Sequence, residues 1–300
     1  MYVDDGGFRS FLQAAAEQPP AQNITEKPKR QVISVSSHHS INSIKNMPST
    51  YVITGASSGI GLELVKQLAA RGDKVFATVR SKTSSASGID LISAVQGDVT
   101  IIEGIDVMSD DVGNALAASP LSGVQIDCLV NNAGSYNATR DLKGMEGFQE
   151  QALANISAAR MMHTFNLNCC GVLRVTQALL PQLVAGSKIA VVSSGMGSIG
   201  DNGSGGSHAY RVSKAAVNML TKGMSCDLKE KNIAVVAVNP GMVATDFGPG
   251  AEAMAKMGGK PVENTCTGML QVFDGLSMEN TGKFMSINKE FTGEEFKGGW

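Results

Sequence analysis

Two side chains carry the first hint of chemistry. In YRVSK, Tyr210 and Lys214 put a phenol one helical turn before an ammonium, just where the run GSIGDNGSGGSHA gives way to a helix. A phenol can give up a proton, and a cation at i+4 favours the phenolate, so the pair has the ingredients of a general acid. A plainer reading fits the same residues. Val212, Ala215, Ala216, Met219 and Leu220 form one apolar stripe at helical spacing. That pattern predicts that the stripe packs on the core and that Tyr210 and Lys214 point away from it, the side usually left to water. On this stretch alone the solvated reading is favoured, and the rest of the chain has to shift it.

A second constellation suits phosphate. TGASSGIG (54–61) lies where a short strand meets a helix. A nucleotide pyrophosphate needs bare backbone amides and a helix N-terminus aimed at it, with no Cβ in the way. Gly55, Gly59 and Gly61 supply those positions, and Ser57, Ser58 and Ile60 complete the expected contacts of the turn. An ordinary tight turn is the alternative; the strand before and the helix after favour the nucleotide. An acid at the end of the second strand would hydrogen-bond a ribose 2′-hydroxyl and mark NAD. This chain has Val79 followed by Arg80, and a guanidinium can grip a 2′-phosphate in a charge-assisted fork. NADP, as NADPH, is therefore expected ahead of NAD, with a solvated arginine as the plainer alternative.

The elements that position these groups alternate from residue 49 onward. Strands are expected at 50–54, 74–79, 99–107, 126–131, 188–194, 233–239 and 282–288. Helical stretches lie between them, including a long region over roughly 150–184 and another over 208–230. Val- and Ile-rich strands separated by helices predict an α/β fold: a single doubly wound parallel sheet, Rossmann-like, with helices on both faces. Residues 1–48 differ in kind, polar, Ser-rich and without periodicity, and are expected to be a disordered extension ahead of a 49–300 domain. Residues 27–50 contain no acid, which raises organelle targeting, but Asp4, Asp5, Glu17 and Glu26 weigh against a transit peptide.

The bulk composition narrows the partners. At 300 residues, with 17% charged and a formal net charge of -2, nothing marks a nucleic-acid or acidic-membrane binder. No apolar run is long enough to span a bilayer. The five cysteines form no CxxC pair or metal-spaced cluster, so they read as small apolar residues in a reducing, cytoplasmic setting, with no metal site.

TGASSGIG, NNAG (131–134), the serine pair at 193–194, YRVSK and NPGMVAT (239–245) occur in an order that resembles the short-chain dehydrogenase/reductase family over residues 50–300. GSIGDN, ENTGKF and Trp300 look most like its C-factor and sniffer-like carbonyl reductase branch. The resemblance implies a catalytic set of Asn168, Ser194, Tyr210 and Lys214. Tyr210 would protonate a carbonyl oxygen, and Lys214 would lower the phenol's pKa and hold the nicotinamide ribose. Ser194 would hydrogen-bond the substrate oxygen, and Asn168 would help hold a water in the proton relay. It also implies that Asp106, ending the third strand, and Val107 contact adenine, and that Asn132, Ala133 and Gly134 border the adenine-ribose. Pro240, Gly241, Val243 and Thr245 would bracket the nicotinamide carboxamide.

Two departures from the family pattern stand out. The stretch between Asn131 and Asn168 is longer than usual, which should enlarge the lip of the cleft or alter an oligomer surface. The gap from Ser194 to Tyr210 is also long, as in the sniffer-like branch. The substrate pocket is expected between 195–209 and a glycine-rich lid at 245–261, where Met254 and Met257 face the substrate or pack the lid onto the domain. The lid holds no arginine to clamp an anion, so apolar aldehydes and ketones are expected, with an acyl-carrier-protein-linked ketone as a weaker choice. The resemblance further implies a homodimer or homotetramer. The rival to an enzyme is a dinucleotide sensor on the same fold, against which both Tyr210 and Lys214 count.

Overall fold

Side chains along the sheet go alternately to two cores, which is what period-two apolar strands buried on both faces produce. In β1 (Thr50–Thr54), Tyr51 and Ile53 join one core while Val52 joins the other. In β4 (Ile126–Asn131), Cys128 and Val130 join the first and Leu129 the second. The computed structural model describes residues 48–80, 82–136 and 145–300. The expected disordered extension therefore falls, but for Pro48, outside the described residues.

Between these strands run α1 (Gly59–Arg71), β2 (Lys74–Thr78), α2 (Lys82–Ser93), β3 (Val99–Ile102) and α3 (Val112–Ala117). After β4 come α4 (Met145–Glu150), α5 (Ala158–Phe165), a π-helical turn (Asn166–Cys170), α6 (Gly171–Leu179) and β5 (Leu183–Val192). Then follow α7 (His208–Asp227), β6 (Ala234–Asn239), α8 (Ala251–Lys256), α9 (Val262–Asp274), β7 (Phe284–Ile287) and β8 (Gly293–Glu295). The sheet order is β3-β2-β1-β4-β5-β6-β7-β8. All pairs are parallel except β7 with β8, which is antiparallel. This is the expected doubly wound α/β sheet with one antiparallel edge strand added. Leu64, Val65 and Leu68 of α1 with Met269 and Phe273 of α9 cover one face; Val172, Val175 and Leu179 of α6 with Val217 and Met224 of α7 cover the other.

Three expectations need correction. The strand expected over 99–107 ends at Ile102, because Gly104 takes a left-handed turn at φ 79° and bends the chain off the sheet. The helical region expected over 150–184 is broken. Ser157 starts α5 as an N-cap, accepting from the Arg160 amide, and the π-turn interrupts the run at Asn166–Cys170.

The third concerns α7, which meets the apolar-stripe expectation only in part: Ala216 and Leu220 pack on the second core, but Val212 and Met219 do not. Val212 is 46% and Met219 73% exposed, while Tyr210, Lys214, Val217, Thr221 and Met224 face inward. Polar residues can line that inner face because their hydroxyls are satisfied within the helix: Ser213 Oγ donates to the Tyr210 carbonyl at 2.8 Å and Thr221 Oγ1 to the Val217 carbonyl at 2.7 Å.

Candidate active site

The turn between β1 and α1 is built to expose amides. Gly55 and Gly59 have φ of 67° and 53°, values that side chains with a Cβ rarely adopt. At Gly61 the constraint is space, since a Cβ there would lie 2.4 Å from the Gly55 carbonyl oxygen and 2.6 Å from Asn132 Nδ2. Ser58, the N-cap of α1, makes no capping bond with its side chain, and the first turn carries no acid. The start of a 13-residue helix is thus free of an internal anion, an arrangement that suits a phosphate. Asn132 and Ala133, at the end of β4, hold the turn from behind. Both of their amides donate to Thr54 Oγ1 at 3.0 Å, and Asn132 Nδ2 donates to the Thr54 carbonyl at 2.9 Å. These residues fit the pyrophosphate of a nicotinamide dinucleotide.

Arg80 is exposed just past β2, and the Ala56 amide donates to the Thr78 carbonyl at 3.1 Å, so the arginine leaves the sheet at the edge that carries the glycine turn. Gly88 of α2 is pressed against Ser57, limiting that serine's reach on one side. Asp106 is placed differently from expectation. It is exposed in the loop after Gly104, not at a strand end, and its Oδ1 accepts from the Met108 amide at 2.9 Å. Val107 is buried in the second core against Gly171 of α6, so its side chain faces the core and not the cleft expected for adenine.

The four residues expected to be catalytic come together at the C-terminal ends of β4 and β5. Tyr210 is 6% exposed, and its phenol lies beside Ser194, which follows β5 and draws the phenol's pKa down. Lys214 Nζ lies 5.7 Å from the centre of the Tyr210 ring and donates to the Val192 carbonyl at 2.8 Å. Asn168 sits in the π-turn. Its Oδ1 accepts from the Ser135 amide at 2.9 Å, and its Nδ2 donates to the Ser135 carbonyl and to Ser213 Oγ, each at 2.9 Å. Gly134 ties this cluster to the phosphate turn: a Cβ on it would lie 3.1 Å from Asn168 Oδ1 and 3.8 Å from Lys214 Nζ.

The electrostatics differ from what spacing suggested. Burial pushes the Tyr210 phenol well above its ordinary value; the Ser194 hydroxyl pulls it part of the way back. Burial brings the Lys214 ammonium down to about 8. Without a dinucleotide, burial therefore outweighs any pull of the nearby cation on the phenol.

The profile of the family described as short chain dehydrogenase matches residues 49–255. The chain belongs to the short-chain dehydrogenase family. Over 161 residues it is 41% identical to the C-signal of Myxococcus xanthus, covering 53% of this chain and 87% of that protein. The structure of NADPH-bound carbonyl reductase from chicken fatty liver is similar at a TM-score of 0.70 and 29% identity, covering 83% of this chain and 99% of that one. Carbonyl reductase Sniffer of D. melanogaster follows at a TM-score of 0.65 and 27% identity, covering 82% and 98%. The affinity with the C-factor and sniffer-like branch holds. The chain is an oxidoreductase of this family, with the fold of a nicotinamide dinucleotide enzyme.

In this short-chain dehydrogenase the lid begins beside the phosphate turn. Thr245, 9% exposed, lies against Gly59, where a Cβ would come 3.5 Å from the Thr245 Cβ. Pro240 and Val243 are buried, and Gly241, at φ 78°, turns the chain between them. Of the two methionines singled out in the lid, Met257 is 55% exposed and Met254 half-buried. Phe247 is the lid residue that reaches the tyrosine, with ring centres 5.8 Å apart; Tyr136 lies tilted against Tyr210 at 5.1 Å and also touches Phe247 at 6.5 Å, so the three rings form one cluster. Neither was singled out from sequence, although Tyr136 stands two residues past the NNAG stretch and Phe247 is the lid's one aromatic residue. Gln151, also missed, bonds the Tyr210 amide and carries no sequence signal. Among the described residues, no group of three or more His, Cys, Asp or Glu could hold a metal. No helix among them is long and apolar enough to cross a membrane.

Proposed function

We propose that this oxidoreductase is an NADPH-dependent carbonyl reductase that turns apolar aldehydes or ketones into alcohols. The observation that carries the reading is the meeting of Ser194, Tyr210 and Lys214 beside a glycine turn whose helix start is free of internal anions. The bound reduced nicotinamide supplies hydride to the carbonyl carbon. Tyr210 gives its proton to the carbonyl oxygen, and Ser194 donates a hydrogen bond to the same oxygen as charge develops there. A phenol held protonated by burial suits an acid that must arrive loaded. Lys214, with its pKa at about 8, is mostly charged at pH 7 and is within reach to ease that proton's departure. Asn168 ties Ser135, after β4, to Ser213 on the tyrosine's own helix and gives the relay its polar end.

NADPH is assigned over NADH on Arg80, and the NADPH-bound carbonyl reductase among the similar structures agrees with it. Tyr136 and Phe247 give the tyrosine aromatic walls, which favours an apolar substrate. The lid's two cations are engaged: Lys256 pairs with Glu252 at 2.7 Å and Lys260 donates to the Ile287 carbonyl, so neither stands ready as an anion clamp. We further infer a homodimer or homotetramer that covers the exposed Met162, Val212 and Met219 on α5 and α7; light scattering giving a monomer mass would refute it. A panel of apolar and anionic carbonyl compounds with NADPH and NADH, followed at the cofactor's absorbance, tests the main reading. Turnover of apolar aldehydes with NADPH is expected, and no turnover of any carbonyl with either cofactor would overturn it.

A further inference from the structure

We propose that Gln151, from the long segment between β4 and α5, is a positioning residue for Tyr210. The inference rests on the reading of Tyr210 as the acid. The first turn of α7 has backbone amides with no intrahelical acceptor, and an N-cap side chain ordinarily takes one of them. Ser207 occupies the N-cap position in a left-handed conformation, φ 50° and ψ 38°, and its side chain caps nothing. Its Oγ is instead 2.5 Å from the Tyr136 hydroxyl. Gln151 does the capping from outside the helix. Its main-chain carbonyl accepts from the His208 amide at 3.2 Å, and its Oε1 accepts from the Tyr210 amide itself at 2.9 Å. Its Nε2 donates to the Tyr136 carbonyl at 2.6 Å, so the same side chain ties the helix start to the residue whose ring packs against Tyr210.

Arg211 holds the segment ahead of α7 through the Gly205 and Gly206 carbonyls and Ser204 Oγ, but none of these bonds reaches the Tyr210 backbone. Gly205 and Gly206 both have positive φ and are exposed, and the left-handed Ser207 follows them. Gln151 is 3% exposed, so its hydrogen bonds do not compete with bulk water. The tyrosine hydroxyl must meet Ser194 across that glycine-rich loop, and Gln151 fixes the backbone atom from which its side chain hangs. The lengthened segment thereby reaches the reaction through the acid's placement.

Three variants test this, with kcat and KM for the best carbonyl substrate, cofactor affinity by fluorescence and thermal unfolding measured on each. Gln151→Met keeps the shape and removes the polar atoms. Its kcat should fall about 10- to 100-fold, the scale set by a displacement near 1 Å, while KM and cofactor affinity stay within about threefold. Gln151→Glu keeps an oxygen for the Tyr210 amide and should retain more kcat than Gln151→Met. Gln151→Asn withdraws that oxygen by one methylene and should show the same selective loss of kcat if the methionine variant does not fold. A kcat within twofold of wild type in Gln151→Met or in Gln151→Asn, a parallel fall of kcat, substrate affinity and cofactor affinity, or a glutamate variant worse than the methionine one would overturn the proposal. A Tyr210→Phe control separates the two claims: if it turns over at the wild-type rate, the reading of the acid fails whatever Gln151 does.

Discussion

Lys214 donates its ammonium to the carbonyl of Val192 at 2.8 Å, at the end of the central strand β5 and out of contact with bulk water. A neutral carbonyl stabilises a buried cation only in part, which is why the ammonium's pKa falls to about 8 while the neighbouring phenol is pushed up. The dinucleotide-free protein therefore keeps a charge at a cost beside the residue proposed to give up the proton.

That cost should be visible as a pH dependence of stability. Below pH 8 Lys214 is charged in both folded and unfolded chains, and its burial destabilises in full. Between about 8 and the ordinary value of 10.5 the folded chain has shed the proton and the unfolded chain keeps it, so stability rises with pH. The gain is about 3 kcal/mol across that window. Urea unfolding of wild type and Lys214→Met without dinucleotide, from pH 7 to 10.5, should show the wild type gaining on the variant. A constant or shrinking difference would contradict the burial argument.

Arg80 carries the cofactor assignment. Arg80→Ala should lower the ratio of kcat/KM for NADPH over NADH by about 10- to 100-fold, the worth of one charged hydrogen-bonded fork. The loss should fall on NADPH and leave NADH nearly unchanged. An unaltered ratio would move the preference to another residue.

The glycine turn has a sharper steric test. In Gly61→Ala the new methyl group meets the Gly55 carbonyl oxygen and the Asn132 amide nitrogen, so the turn has to open. Cofactor affinity should drop at least about tenfold, and stability by about 1–3 kcal/mol, in a calorimetric titration and a melting curve. Wild-type affinity in that variant would mean that the phosphate sits elsewhere.

The sheet and the phosphate turn were readable in the sequence because their causes are local: buried β-branched runs, and glycines between a strand and a helix. The facing of α7 was not. Val212 and Met219 look like part of a core stripe, yet they are exposed and the helix turns Ser213 and Thr221 inward, because a hydroxyl can be buried when it bonds back to a helix carbonyl. Asp106 was misplaced for a related reason, since the apolar pattern ran on past Gly104, where the backbone leaves the sheet. Gln151 lies 59 residues from Tyr210, and its role depends on the path of a long segment that no periodicity specifies.

The most direct test of the whole account is Tyr210→Phe, which removes one hydroxyl and keeps the ring packed against Tyr136 and Phe247. Carbonyl reduction should fall by about 100- to 10,000-fold, the range for a lost general acid, with NADPH affinity and melting temperature nearly unchanged. Turnover within a few-fold of wild type, in a variant that still binds NADPH, would contradict it.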